Sequence, residues 1–128
     1  MATSAAMAIS GDHPGIEKKD VPIEMDKGPV IVMADAAGRG IIATPLIIEW
    51  LVGTAKEFDI PVQLEASDGG STDATAIFVT RSGIPTGVIS VATRYIHSPV
   101  EVLSIGDIDK AADLMARALE TAPRYFKG

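Results

Sequence analysis

The chain has 128 residues, a net charge of −6 and no cysteine, and hydrophobic residues make up 47% of it. This apolar fraction excludes a disordered chain, and the length fits one ordinary domain with an aliphatic core, because aromatic residues account for only 5%. The acidic balance argues against nucleic acid and anionic membranes as partners, and without cysteine any metal must be held by histidine and carboxylate side chains.

Segments of strand character alternate with segments of helical periodicity along the chain. In chain order, the predicted strands and helices are residues 30–34, 45–59, 60–66, 72–82, 87–91 and 105–122. This alternation predicts a single α/β domain over residues 1–128, with three layers and a mainly parallel sheet flanked by helices. The apolar runs at 30–34, 62–64 and 88–91 are expected to be its buried strands. A weakly alternating, proline-containing segment at 21–25 is predicted to be an edge strand.

Capping residues predict the helix boundaries, and helical spacing predicts the buried faces. Thr44 before Pro45 is typical of an N-cap followed by the first helical position, and Trp50 is expected in the core. The second helix is expected to bury Ala76, Ile77, Val79 and Thr80. The third helix is expected to end at Pro123. Its predicted buried stripe consists of Ile108, Ala111, Ala112, Met115, Ala118 and Leu119.

Polar loops follow the three predicted strands, at residues 35–40, 67–73 and 92–98. Because the carboxyl ends of parallel strands lie at one edge of a sheet, we expect these loops to converge on one site. In the last loop, His97 could bind a metal or move protons, and Arg94 could bind a carboxylate. Alternatively, His97 is an ordinary loop histidine that is hydrogen-bonded to a neighbour.

Three further polar groups have a structural interpretation beside a functional one. The glycine-rich loop at residues 69–73 could bind an anion through amides at a helix N-terminus, but a tight turn with a helix cap is favoured. Asp12 and His13 could offer a carboxylate and an imidazole together, although a proline turn with exposed side chains is favoured. Asp35, directly after a strand, could reach the crevice where the loops meet.

The chain lacks the sequence signals of membrane insertion and export. No apolar run approaches the roughly 18 residues of a transmembrane helix. The first residues are small and apolar but include no basic segment, so no signal peptide is expected and a cytoplasmic location is predicted.

A set of short motifs covers most of the chain, from about residue 8 to residue 119. They are AISGDHPGI at 8–16, KGPVI at 27–31, FDIPVQ at 58–63, GGSTDA at 69–74, GIPTGVIS at 83–90, RYIHSPVEV at 94–102 and DIDKAADLMARAL at 107–119. In this order they resemble the M42 metallo-aminopeptidases, the glutamyl aminopeptidase and TET peptidase family, some of whose members carry an endoglucanase label. The resemblance implies a hydrolase that removes N-terminal residues from peptides with two zinc or two cobalt ions.

By this resemblance His97 is a metal ligand, and the loops around it bind the peptide substrate. The implied substrate-binding residues are Gly69, Gly70, Thr72, Asp73, Arg94 and Tyr95. The chain resembles only about the last third of the family. The implied first histidine ligand, bridging aspartate, glutamate pair and inserted dimerisation domain have no counterpart in this sequence. A further ligand aspartate of the family corresponds to Ala6 here, and no catalytic residue is assigned.

Two functional hypotheses follow. The first is the C-terminal portion of a dinuclear aminopeptidase, inactive as an isolated chain, with low zinc or cobalt occupancy at His97 and with Asp12 and Asp73 as the nearest helping carboxylates. The second is a non-catalytic α/β binding or assembly module that keeps the fold. In either case we expect a homo-oligomer or pairing with a missing N-terminal part, because a shortened sheet exposes an edge.

Overall fold

The architecture is a five-stranded sheet with three helices. The computed structural model describes residues 1–35, 40–67 and 72–127. Its strands are β1 (Ala2–Ile9), β2 (Val30–Asp35), β3 (Gln63–Ser67), β4 (Thr86–Arg94) and β5 (Val102–Leu103). Its helices are α1 (Pro45–Glu57), α2 (Asp73–Phe78) and α3 (Ile105–Tyr125). Within the described ranges, no helix combines the length and the apolar character needed to cross a membrane.

The sheet is largely parallel. Its strand order is β1-β4-β2-β3, and β5 pairs with the end of β4. β1 runs parallel to β4 along its whole length, and β2 runs parallel to β3. The Val30–Ser90 and Ile31–Ile89 pairs join these two parallel pairs, and there β2 and β4 are antiparallel. The prediction of an α/β fold with a mainly parallel sheet is confirmed.

The central strand β4 is covered on both faces, and its first eight residues are all buried. On one face, a Cβ atom at Gly87 would lie 2.9 Å from Cγ2 of Ile47, so the glycine lets α1 pack directly on the strand. On the other face, Val88 belongs to an apolar cluster with Ala74 of α2. The sheet is therefore the middle of three layers, with α1 and α3 on one side and α2 on the other.

Polar side chains join α1 to α3 inside the core. The indole N–H of Trp50 donates to the carbonyl of Ala118 at 2.9 Å, and the hydroxyl oxygens of Thr54 and Thr121 lie 2.7 Å apart. All four residues are buried, so these hydrogen bonds replace the water contacts that folding removes. The prediction that Trp50 belongs to the core is confirmed, as is the predicted start of α1.

The buried stripe of α3 differs from the predicted one. The helix buries Asp107, Leu114, Ala118, Thr121 and Ala122. Of the predicted stripe only Ala118 is fully buried, and Ile108 and Leu119 are 42% and 55% exposed. The helix carries apolar residues on two adjacent flanks, and spacing alone does not decide which flank faces the sheet. The predicted end at Pro123 is also wrong, because a proline this close to the C-terminus removes one hydrogen bond and α3 continues to Tyr125.

Two strand predictions need correction. Residues 21–25 form no strand in the structure but cover the sheet, and Ile23 is buried in a cluster with Ala8 and Ala92. β3 begins later than predicted and lies at an edge of the sheet, so it is not a buried strand. Its Leu64 side chain is 47% exposed.

The first strand and the second helix also differ from expectation. The sequence predicts no strand before residue 10, because the small Ala, Ser and Thr residues there show no clear alternation, yet they form β1. α2 is only six residues long and ends before the predicted stop near residue 82. Such a short helix offers one turn to the core, so Ala74 is buried while Ala76, Val79 and Thr80 of the predicted face are not.

Asp107 ties the start of α3 to the turn that leads into β2. Its carboxylate is fully buried and accepts hydrogen bonds from the backbone N–H groups of Asp26 at 2.8 Å and Gly28 at 2.9 Å. Asp26 has a φ of +63°, an unfavourable region for a residue with a side chain, so these hydrogen bonds stabilise a strained turn. The N–H of Asp107 in turn donates to the hydroxyl of Ser104, the N-cap of α3.

Asp107→Ala is expected to lower the free energy of unfolding by about 2–4 kcal/mol, because two backbone donors lose a charged acceptor in a buried setting. Urea unfolding followed by circular dichroism measures the change. Asp109→Ala is the matched control, since Asp109 lies near the same helix start but is exposed, and a change below about 0.5 kcal/mol is expected. Equal losses in the two variants would mean that the helix dipole, not the buried hydrogen bonds, sets the cost.

Candidate functional site

An open hollow beside α2 contains the predicted metal ligand. It is lined by residues 5–7 of β1, by Thr72 and Asp73 at the start of α2, and by Ile96 and His97 after β4. β1 and β4 are parallel neighbours, and α2 packs across both of them, which is why three segments distant in sequence meet here. The structure thus brings His97 together with two of the predicted substrate-binding residues.

Of the three strand-end loops predicted to converge, residues 36–39 and 68–71 lie outside the described residues, and the described Asp35 lies away from the His97 hollow. Because β2 is antiparallel to β4, Asp35 at the end of β2 lies at the opposite end of the sheet from Arg94 at the end of β4. Asp35 therefore does not contribute to the His97 hollow. The start of α2 lies at that hollow although β3, the preceding strand, ends beside Asp35.

The start of α2 supplies a hydroxyl and a carboxylate to the hollow. Thr72 is the N-cap of α2, and its hydroxyl is buried with no hydrogen-bond partner among the described residues. Asp73, the first residue of the helix, is exposed. Gly69 and Gly70, which belong to the same predicted site, lie outside the described residues.

Arg94 forms a two-pronged salt bridge with Asp12. Its Nε and Nη2 atoms donate to the two carboxylate oxygens at 3.2 and 2.6 Å, and the Ser10 hydroxyl donates to the same carboxylate. The guanidinium, helped by the Ser10 hydrogen bond, holds the pKa of Asp12 below its usual range. The predicted proline turn at Asp12 and His13 is present, but the two side chains are half-buried rather than exposed. The fork of Arg94 is already occupied by a carboxylate of this chain.

The turn that carries His97 has an unusual backbone. Tyr95 and His97 have φ values of +57° and +63°, a region that costs roughly 1 kcal/mol or more for residues other than glycine. Two contacts brace the turn in addition to the salt bridge. The Tyr95 ring packs edge-on against His13 with centroids 4.6 Å apart, and the backbone N–H of His97 donates to the Glu101 carboxylate at 2.6 Å.

Ser10 and Glu101 are parts of this arrangement that residue spacing did not single out. Ser10 lies in AISGDHPGI and Glu101 in RYIHSPVEV, two of the motifs that carry the family resemblance. The Ser10 hydroxyl donates to the Asp12 carboxylate, and the Glu101 carboxylate accepts from the backbone N–H of His97. Neither residue lines the hollow itself. Membership of those motifs is the sequence signal that could have indicated them.

The described residues do not fit a metal centre. In the part of the chain that the structure describes, no group of three His, Asp or Glu residues could hold a metal ion. His97 and Asp73 are the two hollow-lining residues with metal-binding side chains, and Asp12 is engaged by Arg94. Ala6, which stands where the resemblance implies a ligand aspartate, lines the same hollow. A zinc site needs four ligands, or three and a water molecule.

Two carboxyl groups at the other end of the sheet are poorly placed for ionisation. Burial raises the pKa of Asp35. Burial, together with the nearby charge of Asp35, also raises the pKa of Glu65 on the adjacent strand. Asp35 lies on β2 and Glu65 on β3, and neither residue lines the His97 hollow.

Comparison with known proteins identifies the family. Residues 1–114 match the sequence model of the M42 glutamyl aminopeptidases. The chain belongs to this family. Membership implies dependence on a divalent metal ion, for which the described residues offer an incomplete ligand set. The chain spans about a third of the length of the curated relatives it matches.

Individual aminopeptidases are similar to this chain in sequence and in structure. The lysyl aminopeptidase of Pyrococcus furiosus is 34% identical over 109 residues, which are 84% of this chain and 30% of that protein. An aminopeptidase from the archaeon Desulfurococcus kamchatkensis matches the structure with a TM-score of 0.90 at 37% identity, over 100% of this chain and 37% of its own. A TET aminopeptidase from a marine-sediment thaumarchaeon gives 0.86 at 34% identity, over 98% and 36%. The predicted family and α/β fold are confirmed.

Asp12→Asn is expected to destabilise the protein at pH 7 and to have less effect at pH 3. Arg94 lowers the pKa of folded Asp12 below the ordinary value of 3.8. The stabilisation of the folded state by this salt bridge is therefore present above that value and is lost as the pH falls through the folded pKa. The loss at pH 7 should not exceed about 1 kcal/mol, because the pair is partly exposed and screened. Urea unfolding at the two pH values measures it.

Asp35→Asn is the paired variant with the opposite expected sign. Burial raises the folded pKa of Asp35, so the folded state is favoured at low pH and loses this advantage as the pH rises through that pKa. The variant should therefore be more stable than the wild type at pH 7 and similar to it at pH 3. If both variants lower stability equally at both pH values, packing rather than charge is responsible.

Proposed function

We propose that this chain is the C-terminal part of an M42 aminopeptidase catalytic domain, forming one α/β domain over residues 1–128, and that it does not hydrolyse peptides alone. The composition of the hollow carries the proposal. His97 and Ala6 line it together, and the described residues supply no third metal ligand. Hydrolysis of N-terminal peptide bonds is then a property of a more complete assembly.

The residues present support the proposed lack of activity. His97 offers one imidazole, and a single imidazole binds zinc or cobalt weakly because stable sites use three or four ligands. The glutamate base that the resemblance implies has no counterpart in this sequence, so no group is assigned to take the proton from an attacking water. The braced turn nevertheless keeps His97 at the rim of the hollow.

The proposal places peptide contacts along the same rim. The proposed direct contacts are Gly69, Gly70, Thr72 and Asp73. The exposed carboxylate of Asp73 suits the ammonium group of a peptide N-terminus. Arg94 and Tyr95 support binding by shaping the turn before His97, since the guanidinium is paired within the chain.

Assembly is the second part of the proposal. A TET1 peptidase of Pyrococcus horikoshii can assemble into a tetrahedron or a large octahedral shell. It is 30% identical to this chain, matches 91% of this chain's length and has a TM-score of 0.64. We propose that this chain also associates, as a homo-oligomer or with a separate N-terminal part that brings the remaining ligands. The proposal includes a cytoplasmic location and peptides as the substrates of the completed enzyme.

A non-catalytic binding or assembly module is the alternative function. It is favoured by Ala6 at an implied ligand position and by the salt bridge that occupies Arg94. The two functions differ on complementation. Mixing the Ala6→Asp variant of this chain with the N-terminal two-thirds of the Pyrococcus furiosus lysyl aminopeptidase should restore hydrolysis under the first function, whereas a complex that binds but stays inactive supports the second.

The purified chain is expected not to hydrolyse lysyl- or leucyl-p-nitroanilide with added zinc or cobalt, because a general base and most ligands are missing. Release of p-nitroaniline measures the activity. The intact Pyrococcus furiosus lysyl aminopeptidase is the positive control under the same conditions. Turnover by this chain at a rate close to that control would overturn the proposal.

Zinc binding by the wild type is expected to be weak and little changed in His97→Ala. Ala6→Asp adds a carboxylate to the hollow beside His97 and Asp73, and should tighten zinc binding by at least about tenfold, because three protein ligands define a usable site. Ala6→Asn is the matched control, similar in size but uncharged, and should give no gain. Titration calorimetry measures all four proteins. Tight binding by the wild type that disappears in His97→Ala contradicts the expectation.

A further inference from the structure

His97 lies in the loop of a β-hairpin. The strands β4 and β5 are antiparallel, and the pair of Arg94 with Val102 ends their ladder. Residues 95–101 form the loop between them. The ladder holds the base of this loop to the sheet, so the position of His97 within the loop depends on contacts that the loop makes above its base.

The Glu101 side chain closes this loop from within. Its carboxylate accepts the backbone N–H of His97 at 2.6 Å. Two longer hydrogen bonds accompany it, from the N–H of Ser98 to the Tyr95 carbonyl at 3.2 Å and from the N–H of Val100 to the Ser98 hydroxyl at 3.3 Å. Of these three, the Glu101 bond is the shortest and the one with a charged acceptor, which makes it the strongest.

The backbone of His97 is the part of the loop that this bond restrains. His97 has a φ of +63°, which is unfavourable for a residue with a side chain. A return to the ordinary negative φ would rotate the side chain by roughly 120° about the N–Cα bond and turn the imidazole away from its present direction. The acceptor that holds the His97 N–H therefore also controls where the imidazole points.

The imidazole itself is not held by hydrogen bonds. Among the described residues, the hydrogen bond of His97 is made by its backbone N–H and none is made by its ring. The side chain is exposed and lines the hollow beside Thr72 and Asp73. Its direction is consequently set by the backbone from which it projects.

The other contacts of the loop act at its base. The Arg94 guanidinium pairs with Asp12, and the Tyr95 ring packs against His13. Both contacts tie the hairpin to the turn that follows β1, and both end at least two residues before His97. They stabilise the attachment of the loop, whereas the Glu101 bond reaches His97 directly.

We infer that Glu101 is a positioning residue for His97, whose carboxylate maintains the left-handed backbone that points the imidazole into the hollow, and that the Arg94–Asp12 salt bridge anchors the hairpin without setting this direction. Glu101 does not line the hollow, so it acts through His97. The inference deepens the proposed function and rests on it in one respect, which is that the completed enzyme uses this imidazole.

The metal-free chain alone provides the test. Three-bond couplings from the backbone to Cγ of His97 report its χ1 rotamer, and the wild type should show one rotamer, which Glu101→Ala should replace by an average over several. Glu101→Gln keeps an acceptor oxygen at the same reach and should retain the single rotamer. Glu101→Asp keeps the charge but is one methylene shorter, and should lose it. Circular dichroism checks the fold of each variant, and Glu101 is exposed, so the fold should persist.

Asp12→Asn is the matched control. It should lower stability at pH 7 while the single His97 rotamer remains, because Asp12 acts at the base of the hairpin. Rotamer averaging in the wild type, a single rotamer in Glu101→Ala, or averaging in Asp12→Asn as large as in Glu101→Ala would overturn the inference. Rescue by Glu101→Asp but not by Glu101→Gln would also overturn it, since the effect would then depend on charge rather than on the hydrogen bond.

The complementation experiment supplies a second measurement. Added to Ala6→Asp, Glu101→Ala should lower kcat roughly tenfold or more in the active mixture, as removal of a group that orients a ligand typically does, and Glu101→Gln should restore it. An unchanged kcat in an active mixture would contradict the inference. Inactivity of every mixture would count against the proposed function alone, because the couplings are measured on this chain by itself.

Discussion

Burial of β4 on both faces is the constraint on which the rest of the structure depends. Its first eight residues are buried, so each other element is placed by how it reaches this strand. β1 lies beside it in parallel and β2 lies beside it antiparallel, while helices cover its two faces. Because β2 and β4 run in opposite directions, strand ends occur at both ends of the sheet. The polar candidate residues therefore lie at opposite ends of the sheet, with Asp35 at one end and His97 at the other.

The turn after β4 shows how several weak contacts hold one imidazole in place. Two left-handed residues, Tyr95 and His97, destabilise the turn by roughly 1 kcal/mol each. An edge-on aromatic contact and a partly exposed salt bridge are each worth about that much, and a hydrogen bond from the His97 backbone N–H to a carboxylate adds to them. The braces all come from within this chain. These contacts together offset the backbone strain of the turn.

Local sequence patterns predict the fold where one signal dominates. The apolar runs of β2 and β4 and the capped start of α1 are found correctly, because uninterrupted aliphatic residues favour a buried strand and a Thr-Pro pair favours a helix start. Strand direction is a tertiary property, so the antiparallel β2–β4 pairing and the resulting separation of Asp35 from His97 are not predictable this way. β1 is missed because alanine and serine give no alternation. The buried face of α3 is predicted wrongly because two of its flanks are apolar.

For the site, motif resemblance indicates His97, whereas the pairing of Arg94 with Asp12 depends on two turns that meet only in the folded chain.

The alanine at position 6, where the resemblance implies a ligand aspartate, also has a consequence for stability. Ala6 pairs with Ser90 through backbone hydrogen bonds, which do not depend on the side chain, so a methyl group leaves the β1–β4 ladder intact. The same side chain packs against a buried cluster that includes Val32 and Val88. A carboxylate placed there without a metal would be partly desolvated beside apolar groups, which is unfavourable unless the charge is paired. Compared with an aspartate, alanine at this position therefore avoids a source of instability.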